Sequence, residues 1–113
     1  MKVLVVHRQE AVLDSITQQL AKWHVEIYNN GLDALLAARI ESFDLILCGK
    51  DLPVVTGIEM VRSLRNFGLN KLTPVILLAD GSESEEHARI YQMLNVNLLT
   101  MTEIEEMKNL QIE

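Results

Sequence analysis

Residues 43–60 read FDLILCGKDLPVVTGIEM and combine, in order, an apolar run, a loop and the start of a helical pattern. The apolar run, residues 44–48, shows no alternation of polar and apolar side chains, which is typical of a strand covered on both faces. After the loop, Ile58, Val61 and Leu64 recur at the spacing of one helix face. The segment therefore predicts a buried parallel strand followed by a helix that packs on the sheet.

The same unit recurs along the chain, where five apolar runs alternate with five segments of helical period. The runs are VLVV (3–6), VEIY (25–28), DLILC (44–48), PVILLA (74–79) and NLLT (97–100). VEIY alternates in polarity and is predicted to be an edge strand. The helical segments are marked by Leu13, Ile16, Leu20 and Trp23; Leu32, Leu35, Leu36, Arg39 and Ile40; Ile58, Val61 and Leu64; Ile90, Met93 and Leu94; and Ile104, Met107, Leu110 and Gln111. This string predicts a three-layer α/β fold, in which a doubly wound parallel sheet of five strands carries helices on both faces.

Capping residues mark where the helices begin. Asn30 is predicted to open the second helix, and Ser82 with Glu85 has the spacing of a capping box before the fourth. Thr102 is predicted to be the N-cap of the fifth helix, with Glu103 in an acidic first turn.

Length and apolar runs bound the class of protein. A chain of 113 residues is expected to form one domain over 1–113. No apolar run approaches the roughly 20 residues that span a bilayer, and the apolar stretch of MKVLVVHRQE is too short for a signal peptide. The single cysteine, Cys48, lies in an apolar run and is expected to be a reduced core residue. We therefore expect a cytoplasmic protein with no membrane association.

The net charge of −6 is concentrated in the last third of the chain. Residues 80–113 carry eight acidic and two basic side chains, whereas the charges of residues 1–79 cancel. Such a surface repels phosphates, so direct binding to nucleic acid is disfavoured. The candidate partner face consists of six acidic residues: Glu83, Glu85, Glu86, Glu103, Glu105 and Glu106. The alternative interpretation of these residues is a pair of solvated helix faces with no role.

Four segments resemble the receiver domains of bacterial response regulators, the CheY-like family. In that family the third strand ends in a phosphoacceptor Asp, a Pro follows four residues later and a Gly eight residues later. Pro53 and Gly57 have this spacing, and counting back four residues from Pro53 leads to Gly49. KVLVVHRQE, PVILLAD and NLLTMT are similar to the first, fourth and fifth strands of the family. The resemblance covers essentially the whole chain and implies a flavodoxin-like sheet in the order 2-1-3-4-5.

The resemblance fails at the positions that carry the family's chemistry. An active receiver uses an acidic pair and the acceptor Asp to hold Mg²⁺, a Lys to bind the phosphoryl group, and a Thr or Ser to report it. These positions correspond here to His7 and Arg8, Gly49, Met101 and Ala79. We therefore expect no Mg²⁺ or other cofactor, no phosphoryl transfer by the family mechanism, and no enzymatic activity.

Other residues near the site have competing interpretations. Asp51 is the fallback phosphoryl acceptor, since Gly49 has no carboxylate. The alternative is a structural role for Asp51, in an ion pair with Arg8 or Lys50. Asp80 is expected to serve helix electrostatics or a cap. Gly49-Lys50 is similar to part of a P-loop, but Asp44 and Asp51 occupy the positions at which that motif needs Gly and Ser or Thr.

The remaining candidates have mainly structural interpretations. The first loop, HRQEA, lacks the Ser, Thr and Gly of a flavodoxin phosphate loop. The histidines, His7, His24 and His87, have no metal-site spacing and are expected at the surface or rim. Most of the methionines, Met60, Met93, Met101 and Met107, are expected to fill the core.

Three functional hypotheses follow. The first is a phosphorylation-independent signalling module that binds a basic protein partner, or a second copy, through the fourth helix, fifth strand and fifth helix. The second is a receiver phosphorylated at Asp51. The third is a small-molecule binder that uses the pocket vacated at Gly49.

Overall fold

The computed structural model describes residues 1–66 and 68–106 and contains the ten predicted elements in alternation. The strands are β1 (Lys2–Val6), β2 (His24–Tyr28), β3 (Leu45–Cys48), β4 (Val75–Leu78) and β5 (Val96–Leu99). The helices are α1 (Glu10–Gln19), α2 (Gly31–Ile40), α3 (Gly57–Asn66), α4 (Glu85–Met93) and α5 (Met101–Glu106). The predicted fold class is confirmed.

The five strands form one parallel sheet in the order β2-β1-β3-β4-β5. Val5 of β1 is in register with Ile27 of β2 on one side and with Leu47 of β3 on the other. The strand β2 lies at an edge and is only partly buried, which confirms the interpretation of its alternating sequence. The order implied by the resemblance is therefore the observed one.

The sheet separates two apolar clusters, and this explains why its central strands show no alternation. Leu4 and Val6 of β1 face a cluster completed by α2, α3 and α4, whereas Val3 and Val5 face the cluster of α1 and α5. All four of these side chains are fully buried. Because both faces are covered, every position of such a strand favours an apolar residue.

One of the three predicted helix starts is confirmed. Asn30 caps α2, and its side chain accepts the Asp33 N–H. The prediction of Ser82 as a cap is wrong, since Ser84 caps α4 by accepting the His87 N–H.

The prediction of Thr102 as an N-cap is also wrong. Thr100 and Glu103 form the box that starts α5: the Glu103 N–H donates to the Thr100 hydroxyl, and the Thr100 N–H donates to the Glu103 carboxylate. The helix consequently begins at Met101, one residue before the predicted cap.

The methionines do not all fill the core. Met60 is fully buried, but Met93 is 84% exposed, and Tyr91 is the buried residue of α4 instead. Met101 is half-buried. The predicted positions Met107, Leu110 and Gln111 lie outside the described residues. No helix in the described part of the chain is long and apolar enough to cross a bilayer.

A buried amide fastens the amino-terminal end of the sheet. The Asn70 side chain, in a residue that is 1% exposed, accepts hydrogen bonds from the Phe43 N–H (2.8 Å) and the Thr73 hydroxyl (3.0 Å). It donates to the carbonyl oxygens of Ala38 (2.6 Å) and Glu41 (2.8 Å). All four hydrogen-bonding positions of the amide are used, so the α3–β4 connection is tied both to the end of α2 and to the residues before β3.

Candidate functional site at the carboxyl edge of the sheet

The carboxyl ends of β1, β3, β4 and β5 surround a cavity of about 250 Å³. It is lined by His7, Arg8, Gln9, Val12, Gly49, Lys50, Asp51, Leu52, Leu78, Ala79, Asp80 and Met101. This set contains all five positions that correspond to the family's phosphorylation machinery, together with Asp51. The structure thus brings together residues that are up to 94 positions apart in the chain, from His7 to Met101.

The imidazole of His7 lies beside Gly49, where a larger residue would place its side chain. A Cβ atom built on Gly49 would lie 2.8 Å from His7 Cδ2 and 3.3 Å from His7 Nε2. The Gln9 N–H donates to His7 Nδ1 at 3.0 Å, so the proton of the neutral ring lies on Nε2. Burial, together with the neighbouring Arg8 cation, lowers the pKa of His7 and favours this neutral form. The space expected to be vacant at Gly49 is therefore partly filled.

The loop from β3 to α3 approaches the sheet closely at Gly57. A Cβ atom on Gly57 would lie only 2.2 Å from the Gly49 carbonyl oxygen, and the Gly57 N–H donates to the Lys50 carbonyl at 2.9 Å. Between these contacts Val54 adopts a φ of 70°, a left-handed conformation that a β-branched side chain disfavours. The backbone around Gly49 is thus fixed by the loop as well as by β3.

Lys50 joins the β3–α3 loop to the β4–α4 loop. Its ammonium lies 2.5 Å from Glu83 Oε2 and 3.0 Å from Asp80 Oδ1, and it donates to the Ser82 hydroxyl at 2.8 Å. The side chains of Lys50 and Glu83 are only 15% and 12% exposed. Two carboxylates around one largely buried cation form a network in which each carboxylate also accepts backbone N–H groups of the β4–α4 loop.

The pKa values of this network show that all three groups are held in their charged forms. Burial by itself lowers the pKa of Lys50, but the hydrogen bonds to Glu83 and Asp80 outweigh it and raise that pKa. The Ser82 hydroxyl and N–H, assisted by Lys50, hold the pKa of Asp80 far below its usual range. The Lys50 ammonium likewise lowers the pKa of Glu83.

The predicted ion pair of Asp51 is wrong. Lys50 turns to Asp80 and Glu83, and Asp51 forms no ion pair or side-chain hydrogen bond with the residues that the structure describes. The physical reason is that two carboxylates held by one loop attract the ammonium more strongly than a single exposed one. Asp80 binds Lys50 and the Ser82 N–H rather than capping α4.

The six acidic residues of the predicted partner face separate into three groups. Glu83 turns inward to Lys50, and Glu103 accepts hydrogen bonds from Thr100 at the start of α5. Glu103 stays exposed despite these hydrogen bonds, and so do the other four on α4 and α5: Glu85, Glu86, Glu105 and Glu106. The acidic surface that a partner would meet is therefore smaller than the sequence suggested.

The remaining candidates have structural positions. Cys48 is fully buried in β3, as predicted, and burial raises the pKa of its thiol to about 12, which leaves it unreactive. His24 and His87 are exposed, as expected. From the sequence, Lys50 was considered only as a partner of Asp51, and its contacts with Asp80 and Glu83 were missed. The available signal was that Lys50 follows the end of β3, which lies next to the strand that precedes Asp80.

The fold and the position of the cavity define the class of α/β proteins whose sites lie at the carboxyl edge of a doubly wound sheet. The model of the response regulator receiver domain family matches residues 3–108, so the chain belongs to this family of two-component signalling domains.

Individual relatives agree with this assignment. The chemotaxis response regulator CheY4 of Vibrio cholerae is 25% identical and superimposes with a TM-score of 0.82 over 93% of this chain and 92% of that one. The cell cycle transcriptional regulator CtrA of Caulobacter vibrioides is 28% identical over 80% of this chain and 39% of its own length. The probable transcriptional regulator ycf29 of Pyropia yezoensis is 33% identical over 81% of this chain and 42% of its own. The chain thus spans about two fifths of the length of these two regulators.

Proposed function

We propose that this receiver domain acts as a phosphorylation-independent protein-binding module in a signalling pathway, with no enzymatic activity of its own. The single observation that carries the proposal is the packing of His7 against Gly49. An acceptor side chain at position 49 would have to displace that ring. Residues 7 and 49 are therefore adapted to each other rather than to a phosphoryl group.

The residues at this edge do not fit Mg²⁺. A magnesium ion prefers oxygen ligands in near-octahedral geometry, with carboxylates as its usual protein donors. The positions that would supply them hold His7, Arg8 and Gly49, of which one is a cation and one has no side chain. No step of the proposed function uses a metal.

The Lys50 network gives the proposal a physical basis for a locked state. In a switching receiver a metal and a phosphoryl group change the charge of the pocket and move the hydroxyl that follows β4. Here an internal ammonium balances the carboxylates of the β4–α4 loop without a phosphoryl group, and Ala79 has no hydroxyl to move. The loop that leads into α4 is thus held in one arrangement, and regulation would have to come through binding.

The exposed carboxylates of α4 and α5 suggest the chemistry of the partner. Glu85, Glu86, Glu105 and Glu106 favour a basic protein surface and disfavour nucleic acid. A homodimer through α4, β5 and α5 is the alternative occupant of the same face. We place the domain in the cytoplasm, where two-component receivers work.

Intact-mass analysis after incubation with Mg²⁺ and a small phosphodonor such as acetyl phosphate tests the phosphorylation part. We expect the mass to stay unchanged. A species heavier by one phosphoryl group that disappears in Asp51→Asn would overturn the proposal and establish Asp51 as the acceptor. An active receiver treated in parallel shows that the donor works.

A charge-matched comparison tests the partner face. We expect Glu85→Gln/Glu86→Gln to weaken capture of partner proteins from native extract and to reduce its sensitivity to salt. Glu10→Gln/Asp14→Asn removes two exposed charges from α1 and serves as the control. Equal capture by both double variants would contradict the acidic-face proposal.

A further inference from the structure

The cavity at the carboxyl edge is large enough for a small organic molecule. Its volume of about 250 Å³ corresponds to about eight water molecules at roughly 30 Å³ each, and hence to a ligand of about eight non-hydrogen atoms. His7 narrows the cavity beside Gly49 but does not close it, because both residues still line the open space.

Three polar groups that line this cavity have no protein partner among the described residues. They are the Nε2–H of His7, the guanidinium of Arg8 and the carboxylate of Asp51. His7 uses only Nδ1 in its hydrogen bond with the Gln9 N–H, so its remaining donor is free to face a ligand. By contrast, Lys50 is bound to carboxylates of the β4–α4 loop and contributes no free charge.

Several apolar residues also line the cavity. Val12, Leu52, Leu78, Ala79 and Met101 contribute side chains from four different parts of the fold. A ligand that covers these apolar side chains and accepts hydrogen bonds from the free donors would gain binding free energy from both contacts.

From these features we infer that the cavity binds a small organic carboxylate with an aliphatic body. The carboxylate accepts hydrogen bonds from Arg8 and from His7 Nε2–H, and the aliphatic part lies against the apolar wall. A charge-assisted bond to a guanidinium is the strongest contact available in this site. The carboxylate could belong to a simple acid or to an α-amino acid, and the position of Asp51 at the rim makes it the group that would meet an ammonium. The inference adds a ligand to the proposed binding module and does not depend on which protein partner it has.

Amide and imidazole NMR of the ¹⁵N-labelled chain provides the test, with four probes of related shape: 3-methylbutanoate, 3-methylbutan-1-ol, leucine and inorganic phosphate. We expect 3-methylbutanoate or leucine, at up to about 10 mM, to shift the signals of Gly49, Met101 and the His7 side chain. The alcohol lacks the carboxylate and phosphate lacks the aliphatic body, so both should bind at least about tenfold more weakly. If leucine binds more tightly than 3-methylbutanoate and this preference is lost in Asp51→Asn, the ligand class is an amino acid. If the two bind equally, the ligand class is a simple acid.

Matched variants make the result specific to the site. Arg8→Gln should weaken carboxylate binding about tenfold, whereas Arg62→Gln, which removes an exposed charge from α3, should leave it unchanged. His7→Phe keeps a ring beside Gly49 but removes the donor, and it should weaken binding while the NMR spectrum stays folded. Any of three results would overturn the inference. The two carboxylate probes cause no shifts at the cavity, phosphate binds as tightly as 3-methylbutanoate, or the Arg8→Gln variant binds the carboxylate normally. None of these results bears on phosphorylation, which the intact-mass experiment measures separately.

Discussion

The packing of His7 against Gly49 predicts that the two positions are energetically coupled. In the wild-type background, Gly49→Ala places a methyl group 2.8 Å from the His7 ring, closer than carbon atoms tolerate. The ring must then leave its position and give up the hydrogen bond from the Gln9 N–H. When His7 is first replaced by alanine, the same methyl group enters free space.

The magnitude follows from three opposing effects. Overpacking costs about 1–3 kcal/mol, and the lost hydrogen bond about 1 kcal/mol. Replacing glycine by alanine stabilises the protein by about 0.4–1 kcal/mol, because alanine lowers the conformational entropy of the unfolded chain. This gain applies at Gly49 because its φ is not positive. Gly49→Ala should therefore lower the free energy of unfolding by about 1–3.5 kcal/mol in the wild type, and raise it by about 0.4–1 kcal/mol in His7→Ala. The expected coupling energy is about 2–4 kcal/mol.

Urea unfolding of the four proteins, followed by circular dichroism, measures this cycle. Gly57→Ala is the control, because its Cβ would meet the Gly49 carbonyl oxygen whatever residue stands at position 7. It should be strongly destabilising in both backgrounds and show no coupling. Additive effects of His7→Ala and Gly49→Ala, within about 0.5 kcal/mol, would refute the claim that the imidazole occupies the acceptor position.

Three further predictions concern the framework of the site, and urea unfolding measures each of them. Asn70→Ala should lower the free energy of unfolding by about 3 kcal/mol, because it leaves a buried N–H and two carbonyls without partners; a loss below about 1 kcal/mol would show that water replaces the amide. Val54→Asn should raise it by about 1 kcal/mol, because asparagine tolerates a positive φ, and no gain would mean that the backbone there is unstrained. The pKa values of Asp80 and Glu83 are lowered by folding, so their contribution is present above the ordinary Glu value of 4.5 and is lost as the pH falls through the lowered values. Lys50→Met should therefore reduce the loss of stability between about pH 7 and pH 3, and an unchanged pH dependence would contradict the network.

The fold was predictable because its information is local and redundant. A short apolar run marks each strand, and the alternating VEIY differs from the doubly covered strands and lies at one edge of the sheet. The run NLLT does not alternate, so its sequence did not indicate that β5 is the partly buried strand at the other edge. Helix starts were less predictable, because hydroxyl residues occur close together on both sides of the true caps. Ser82 and Ser84 lie two residues apart, as do Thr100 and Thr102. A tertiary contact decides between the two serines, whereas a local box with Glu103 marks Thr100. Ser82 accepts a hydrogen bond from Lys50 and donates its N–H to Asp80, so Ser84 caps α4 instead.

The cavity was predictable in its membership but not in its internal geometry. The topology alone brings the ends of β1, β3, β4 and β5 to one edge, so the residues that line it followed from the strand assignment. Which cation meets which carboxylate depends on side-chain reach and on loop shape. Lys50 is 33 residues from Glu83, and nothing in the spacing favours Glu83 over the nearby Asp51. For the same reason the sequence did not show that His7 partly fills the pocket beside Gly49, since no sequence pattern indicates where the His7 ring turns.

These contacts change what the divergence from the family means. Loss of a phosphorylation site by drift would leave unpaired charges and an open hole, and both cost stability. Instead His7 fills the space beside Gly49, and Lys50 balances Asp80 and Glu83. His7 and Gly49 are thus matched to each other across two strands, and Lys50 is matched to a neighbouring loop, so this part of the edge is repacked. The side chains left without protein partners there, Arg8 and Asp51, are exposed and bear opposite charges. A cation and an anion at the mouth of the cavity are groups that a ligand or a partner could meet, and this arrangement supports the proposals of a binding site at this edge.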